Sequence, residues 1–200
     1  LATGVLLVCV GNATKQAEEL QRHDKEYIAG VTFGATTPSY DLEKEIYRSF
    51  PNEHITAEAV AYALKDFVGE QDQVAPLFSA KSVEGIRAYE LARKLLKDGA
   101  LPEEASELIR SSRINISELE LLNFQANSPS ISNPQKKEDT VSRASSRINV
   151  TDNSNLGLPR ADIRLACSKG TYVRAFARDL GEALGSGAHL DALQRSRSGQ

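Results

Sequence analysis

Residues 162–190 read DIRLACSKGTYVRAFARDLGEALGSGAHL, a strand, a tight turn and a helix in immediate succession. Asp162, Arg164 and Ala166 alternate with Ile163, Leu165 and Cys167, the two-residue period of a strand with one buried face. Ser168-Lys169-Gly170 supplies the turn. From Thr171 the period lengthens: Val173, Phe176, Ala177, Leu180, Ala183 and Leu184 fall on one helical face, and Gly185 stands where such a helix ends. Arg174 and Arg178, four apart, share a different face. A strand that turns directly into a helix carries the first-turn side chains to the end of the sheet. Tyr172 and Arg174 are therefore expected at its rim, beside unpaired backbone N–H groups. Such a rim suits an anionic or planar ligand; the same arginines on an ordinary surface helix would be solvated charges. The Ser-Lys-Gly-Thr run lacks the spacing of a phosphate loop.

Working outward, Val5 to Val10 reads as a buried strand, Gly11-Asn12 as a turn, and Thr14 as the cap of a short helix through Leu20. From Lys25 a second strand puts Tyr27, Ala29, Val31 and Phe33 on one face. Gly34 to Asp41 is turn-rich, and Leu42 to Tyr47 is the next predicted strand. Thr56 caps a helix with Ala57, Val60, Ala61, Leu64 and Val68 inward and Gly69 past its end. Gln71 to Phe78 reads as a loop, Ala88 to Leu96 as a helix and Ile114 to Leu122 as a strand. Residues 125–155 are dominated by Ser, Asn, Lys, Asp and Arg, too polar to offset the entropy of ordering. The echo of Ser111-Ser112-Arg113-Ile114-Asn115 in Ser145-Ser146-Arg147-Ile148-Asn149 would let part of this expected mobile insert pair as a hairpin. Strands and helices mix without strict alternation, which predicts an α+β domain.

Two hundred residues, 40% of them hydrophobic, suit a single domain spanning residues 1–200. The chain opens on Leu1 and contains no methionine, so a fragment is expected. Val5 to Val10, the longest apolar run, is too short to cross a bilayer and follows no signal-like stretch, which predicts a soluble, cytoplasmic protein with no membrane partner. Two cysteines and three scattered histidines offer neither a disulfide framework nor a metal set. The net charge of −3 is uneven: residues 160–200 carry seven Lys/Arg against four Asp/Glu, +3, which leaves −6 on residues 1–159. A positive end on an acidic domain provides a local phosphate-binding footprint, selective by shape rather than bulk charge.

Ser168-Lys169-Gly170-Thr171-Tyr172-Val173-Arg174, with Asp179-Leu180-Gly181, Leu184-Gly185 and Gly187-Ala188-His189-Leu190, resembles the C-terminal signature of the TruB-type tRNA pseudouridine synthases. Leu1-Ala2-Thr3-Gly4-Val5-Leu6 resembles the tail of that family's active-site motif, Asp24-Lys25-Glu26-Tyr27 its Lys-x-Tyr strand, and Pro76-Leu77-Phe78-Ser79-Ala80-Lys81 with the Gly85 to Arg93 run a further motif. Four motifs in family order cover about residues 1–124 and 158–200. Thr37, where many members carry an acidic residue, and Gln194, where Leu-Arg-Arg is usual, depart from the pattern.

The resemblance implies the pseudouridine synthase fold, a mixed, largely antiparallel sheet with flanking helices and an RNA-binding cleft. It implies isomerisation of uridine to pseudouridine in the T-loop of tRNA, at uridine-55, by a monomer that needs no cofactor and no metal. The family's catalytic aspartate precedes a Pro-Leu-Ala-Thr-Gly run, which puts it just upstream of Leu1, so the 200-residue chain alone is expected to be inactive. The family's C-terminal RNA-binding domain has no counterpart before Gln200. Arg174 matches the arginine that partners the aspartate, Tyr27 the tyrosine that stacks on the flipped base, and Tyr172 and Leu193 further positions of the uridine pocket. Lys25, Lys169 and Arg178 are candidate phosphate contacts and equally candidates for solvated charge, while His189 reads as a structural histidine. Two other readings stay open: a non-catalytic module that binds structured RNA, and a small-molecule or protein-interaction domain with an accidental likeness.

Overall fold

The computed structural model describes residues 2–79, 82–83, 86–87, 90, 109–127 and 156–199. Its strands are β1 (Thr3–Gly4), β2 (Lys25–Phe33), β3 (Ala35–Thr36), β4 (Arg48–Ser49), β5 (Gly69–Gln73), β6 (Ser82–Val83), β7 (Ile86–Arg87), β8 (Ser112–Gln125), β9 (Arg160–Cys167) and β10 (Ala188–Ser198). The α-helices among these residues are α1 (Ala17–Arg22), α2 (Ala57–Ala63) and α3 (Val173–Ala183). Six strands form one sheet in the order β1-β10-β2-β9-β8-β5, with β1 parallel to β10 and every other neighbour antiparallel. The architecture is α+β with a mixed, largely antiparallel sheet.

The strand-turn-helix unit forms as its two periods require. Ile163, Leu165 and Cys167 of β9 are buried, as are Ala29, Val31 and Phe33 of β2, and all six pack into one core with Val173, Phe176, Ala177 and Leu180 of α3 and Val60 of α2. Fully burying a side chain of the Val, Leu or Phe type contributes ~1.5–3 kcal/mol, so this single face sets the docking of α3. Gly185, at φ 64, ends α3: its N–H donates to Glu182 O (2.9 Å) and that of Ser186 to Gly181 O (2.9 Å), a left-handed turn that favours glycine. Ala183 proves exposed and Ala175 buried, because the first half of α3 is enclosed by residues 73–78, which bond to Tyr172, Arg174 and Arg178.

Four expectations need correction. Residues 5–10 are not a buried strand: Val5, Leu6, Leu7, Val8 and Val10 are 39–78% exposed, and the strand against β10 is Thr3–Gly4, followed by one further bond from Val5 N to Arg195 O. Apolar sequence specifies burial only where another element lies against it, and the described residues leave this run uncovered. Leu42 to Lys44 is a turn and a bend, since the Asp41 carboxylate accepts from Glu43 N (3.0 Å) and bends the chain, 45–47 is irregular, and the strand follows at Arg48–Ser49. Gln71 to Gln73 belongs to β5 rather than a loop. Ala61 and Val68 face solvent: the buried side of α2 runs through Val60 and Ala63, which leaves Ala61 outside it, and after Ala63 the helix tightens to three residues per turn over Leu64–Phe67, which puts Val68 out of phase. Smaller differences are a 3₁₀ turn at Gly11–Gln16 ahead of α1, and β8 running beyond Ile114 to Leu122 at both ends. Of the predicted helix at 88–96 only Glu90 is described, and it is helical; of the insert at 125–155, Gln125 ends β8 and Ala126-Asn127 is a bend, while 128–155 lies outside the described residues.

Thr56 does cap α2, its Oγ1 accepting from Ala59 N at 3.2 Å. Thr56→Ala should cost about 1 kcal/mol, read as a fall of about 2–4 °C in melting temperature; an unchanged melting curve would show that the cap contributes nothing. His189, fully buried in β10, donates Nδ1–H to Ala35 O (2.9 Å) and so ties β3 to the sheet. Burial holds its imidazole below the ordinary value, against the opposing pull of the Ala35 carbonyl, Asp191 and Asp41. The unfolded chain then takes up a proton near pH 6.5 that the folded chain refuses, so stability falls as pH drops through that value. His189→Gln should flatten this part of the melting-temperature profile between pH 7 and 5.5.

Candidate active site

Two adjoining cavities open where the start of α3 meets β10 and β1, one of about 420 Å³ and one of about 220 Å³, sharing Ala2, Arg174 and Leu193. Tyr27, Tyr172, Leu193 and Arg195 line the larger; Asp41, Glu43 and Asp191 line the smaller. Tyr27, Tyr172, Arg174 and Leu193, scattered over 167 positions of sequence, thus meet around one volume.

Arg174 stands between the cavities. Nη1 donates to Ser39 O and to Asp41 Oδ2, both at 3.2 Å, and Nη2 donates to Phe78 O at 2.9 Å. Asp41 is itself rigidly placed: Ser39 Oγ donates to its Oδ1 at 2.5 Å, Glu43 N to the same oxygen at 3.0 Å, and fully buried Thr37 bonds both its backbone N and its backbone O through Oγ1. Tyr40, just before it, is held at φ 56, a left-handed conformation uncommon for a bulky residue. Tyr40 O accepts from Leu190 N (3.0 Å), and Arg178 stacks over its ring at 5.5 Å. Backbone strain of this kind, over-determined by its surroundings, belongs to a segment whose position matters.

Tyr27 sits on the helix-covered face of β2, half-buried beside Arg195. Burial pushes its phenol up from the ordinary value, the hydrogen bond with Arg195 acting in the opposite sense, so the hydroxyl is protonated at neutral pH. Tyr172 is anchored by Gln73, whose side chain accepts from Tyr172 N at 2.8 Å and donates to Tyr172 O at 3.2 Å, in place of a side-chain cap on α3. Gly4 presses on β10 so closely that a Cβ there would lie 2.2 Å from Arg195 O. Ala2 and Thr3 are thereby held in the cavity wall.

A family model described as TruB family pseudouridylate synthase (N terminal domain) matches residues 1–173. The chain belongs to the TruB family. Relatives carry the likeness past Arg174 to the last residue: tRNA pseudouridine synthase B of Phocaeicola vulgatus is 46% identical over 199 residues, covering 100% of this chain and 67% of that protein. That of Parabacteroides distasonis is 47% identical over 200 residues, covering 100% and 68%. A chain of a crystallised Cbf5-Nop10-Gar1 complex shares the fold, with a TM-score of 0.54 and 21% identity over 98% of this chain and 36% of that one.

Not every candidate of this TruB-family chain reaches the cavities. Lys25 Nζ donates to Gln21 O and His23 O, at the end of α1, and Lys169 is exposed on the turn after β9; neither lines the site. Arg178 is turned inward, bonding Asp179 Oδ1 (2.7 Å) and Val74 O (3.0 Å) as well as covering Tyr40, so it serves packing. Asp41, Gln73 and Arg195 are the site-forming residues that sequence reading missed. Asp41 alone left a signal, an acidic residue closing a turn-rich loop. Among the described residues no three His, Cys, Asp or Glu side chains gather as metal ligands would.

Proposed function

We infer that the protein carrying this chain isomerises uridine to pseudouridine in tRNA, at uridine-55 of the T-loop. The observation that supports it best is the convergence of Arg174, Tyr27, Tyr172 and Leu193 on a cavity whose wall begins at Ala2. The reaction breaks the N1–C1′ bond, turns the base and forms C5–C1′; the C5 proton leaves and N1 gains one. A carboxylate serves either as nucleophile at the sugar or as stabiliser of its developing positive charge, and a neighbouring guanidinium keeps it ionised. The aspartate that the family resemblance puts ahead of Leu1 would arrive beside Arg174, because Ala2 borders both cavities. Arg174 directs three N–H groups to Ser39, Asp41 and Phe78, which leaves two of its five for that carboxylate among the described residues. In this reading Asp41 fixes the guanidinium plane, while Tyr27 offers a stacking face and a hydroxyl donor to the extruded base. Lys169, exposed on the turn after β9 and outside both cavities, is left as a phosphate contact for RNA beyond the extruded base.

The test uses a protein that includes the residues upstream of Leu1, incubated with tRNA and with tRNA carrying cytidine at position 55. Pseudouridine in the first alone is the expected result. Product at another position would overturn the T-loop assignment, and binding without product would leave an RNA-binding module.

A further inference from the structure

We propose that Asp191 and Arg160, with the space left by Gly30, form a clamp whose task is to aim Leu193 into the uridine pocket. Leu190 and Leu193 both pack on the helix-covered face of the sheet. Three positions apart in a regular strand they would point to opposite faces. What brings them together is a β-bulge: Leu190 pairs with Val31 and Leu193 with Ala29, but Ala192 rather than Asp191 takes Gly30, so Asp191 is the extra residue. Bulges re-aim side chains in this way beside active sites.

The bulge is held on the opposite face of the sheet. Asp191 Oδ2 accepts from Arg160 Nε (2.5 Å) and Thr32 Oγ1 (2.8 Å), Oδ1 accepts from Arg160 Nη2 (3.0 Å), and Arg160 Nη1 reaches Asp162 at 2.8 Å. Asp191 and Arg160 are 19% and 11% exposed, so the two-pronged pair is sheltered from water. A Cβ on Gly30 would lie 2.1 Å from Asp191 Oδ1 and 2.3 Å from Arg160 Nη2. The clamp thus exists only with a glycine at the position opposite the bulge. Arg160 and Gly30 line neither cavity, and Asp191, although it borders the smaller one, commits its carboxylate to Arg160 and Thr32; the three act through Leu193, as positioning residues.

This inference rests on the proposed function, and its test separates the two. In the protein that includes residues upstream of Leu1, Asp191→Ala and the isosteric Asp191→Asn should each lower the rate of pseudouridine formation per folded molecule by about ten-fold or more, since sub-ångström to ångström misplacement costs up to ~100-fold. Gly30→Ala should do the same by expelling the carboxylate. In a Leu193→Ala background all three should have no further effect on rate. A purely structural clamp predicts instead multiplied losses in the double variants, or a lower melting temperature with an unchanged rate, and either result overturns the proposal. Leucine methyl NMR reads the clamp without the reaction: the Leu193 resonances should move in Asp191→Asn and in Gly30→Ala. A wild type with no activity but a clamp-dependent Leu193 refutes the function alone; an active wild type whose Leu193 resonances ignore the clamp refutes the clamp alone.

Discussion

Arg174→Lys should lower the single-turnover rate by about two orders of magnitude while changing tRNA affinity by less than about three-fold. Lysine keeps the charge but offers a point rather than a plane, and the plane is what this site uses: Nη1 and Nη2 diverge to Ser39, Asp41 and Phe78, joining three segments that are distant in sequence. An ammonium satisfies one or two of those oxygens and leaves the orientation of any second carboxylate unset. Rates must be taken per folded molecule, because an unpaired Asp41 carboxylate and unpaired Ser39 and Phe78 carbonyl oxygens also cost stability. Asp41→Asn makes a second arm. It keeps the shape and removes the charge, and should slow turnover with tRNA affinity intact. If Arg174→Lys weakened binding and rate in equal proportion, Arg174 would be a phosphate contact and the role given to it here would be wrong.

Replacing Tyr27 should separate face from hydroxyl. Tyr27→Phe keeps the ring on which an extruded base would stack, and Tyr27→Leu removes it. Stacking on an aromatic is worth ~1–3 kcal/mol per base, so capture of the flipped base should fall roughly five-fold to over a hundred-fold in the leucine variant and little in the phenylalanine variant. A slower rate in Tyr27→Phe with binding intact would add a hydrogen-bonding role for the phenol, which is protonated at neutral pH and therefore a donor rather than a base. Tyr27 also packs against the core, so the leucine variant should melt lower as well. A leucine variant that melts lower yet binds tRNA normally would sink the stacking assignment.

The elements legible in the sequence are those whose signal is local. β9 and α3 each carry a clean period and are joined by a turn with a glycine, and β2 presents Ala29, Val31 and Phe33 to the core as its alternation requires. β5, Gly-Glu-Gln-Asp-Gln, has no strand signal of its own; it is extended because β8 offers it an edge to pair with. The run at 5–10 misled for the converse reason, an apolar stretch without a covering surface. In the site, Arg174, Tyr27, Tyr172 and Leu193 were found through motif resemblance, and the structure gathers them at one cavity. Asp41 and Gln73 were missed because their importance is a matter of what stands opposite: the former meets a guanidinium 133 positions away, the latter a backbone 99 positions away. The bulge at Asp191 was equally hidden, since two-residue alternation read through it would assign Leu193 to the wrong face.

The place of β10 in the sheet has a consequence for how the protein is made. β10 lies between β1 and β2, although Thr32 of β2 and Asp191 of β10 are 159 positions apart. A ribosome adding about 5–20 residues each second leaves roughly 8–30 seconds between the two. For most of that interval both edges of β2 have their N–H and C=O groups unpaired, because its other neighbour, β9, begins only at Arg160, and the floor beneath Tyr27 is unfinished until β10 is made. Chaperone cover during synthesis is therefore most valuable to this chain over its second strand, the part that emerges early and is completed almost last.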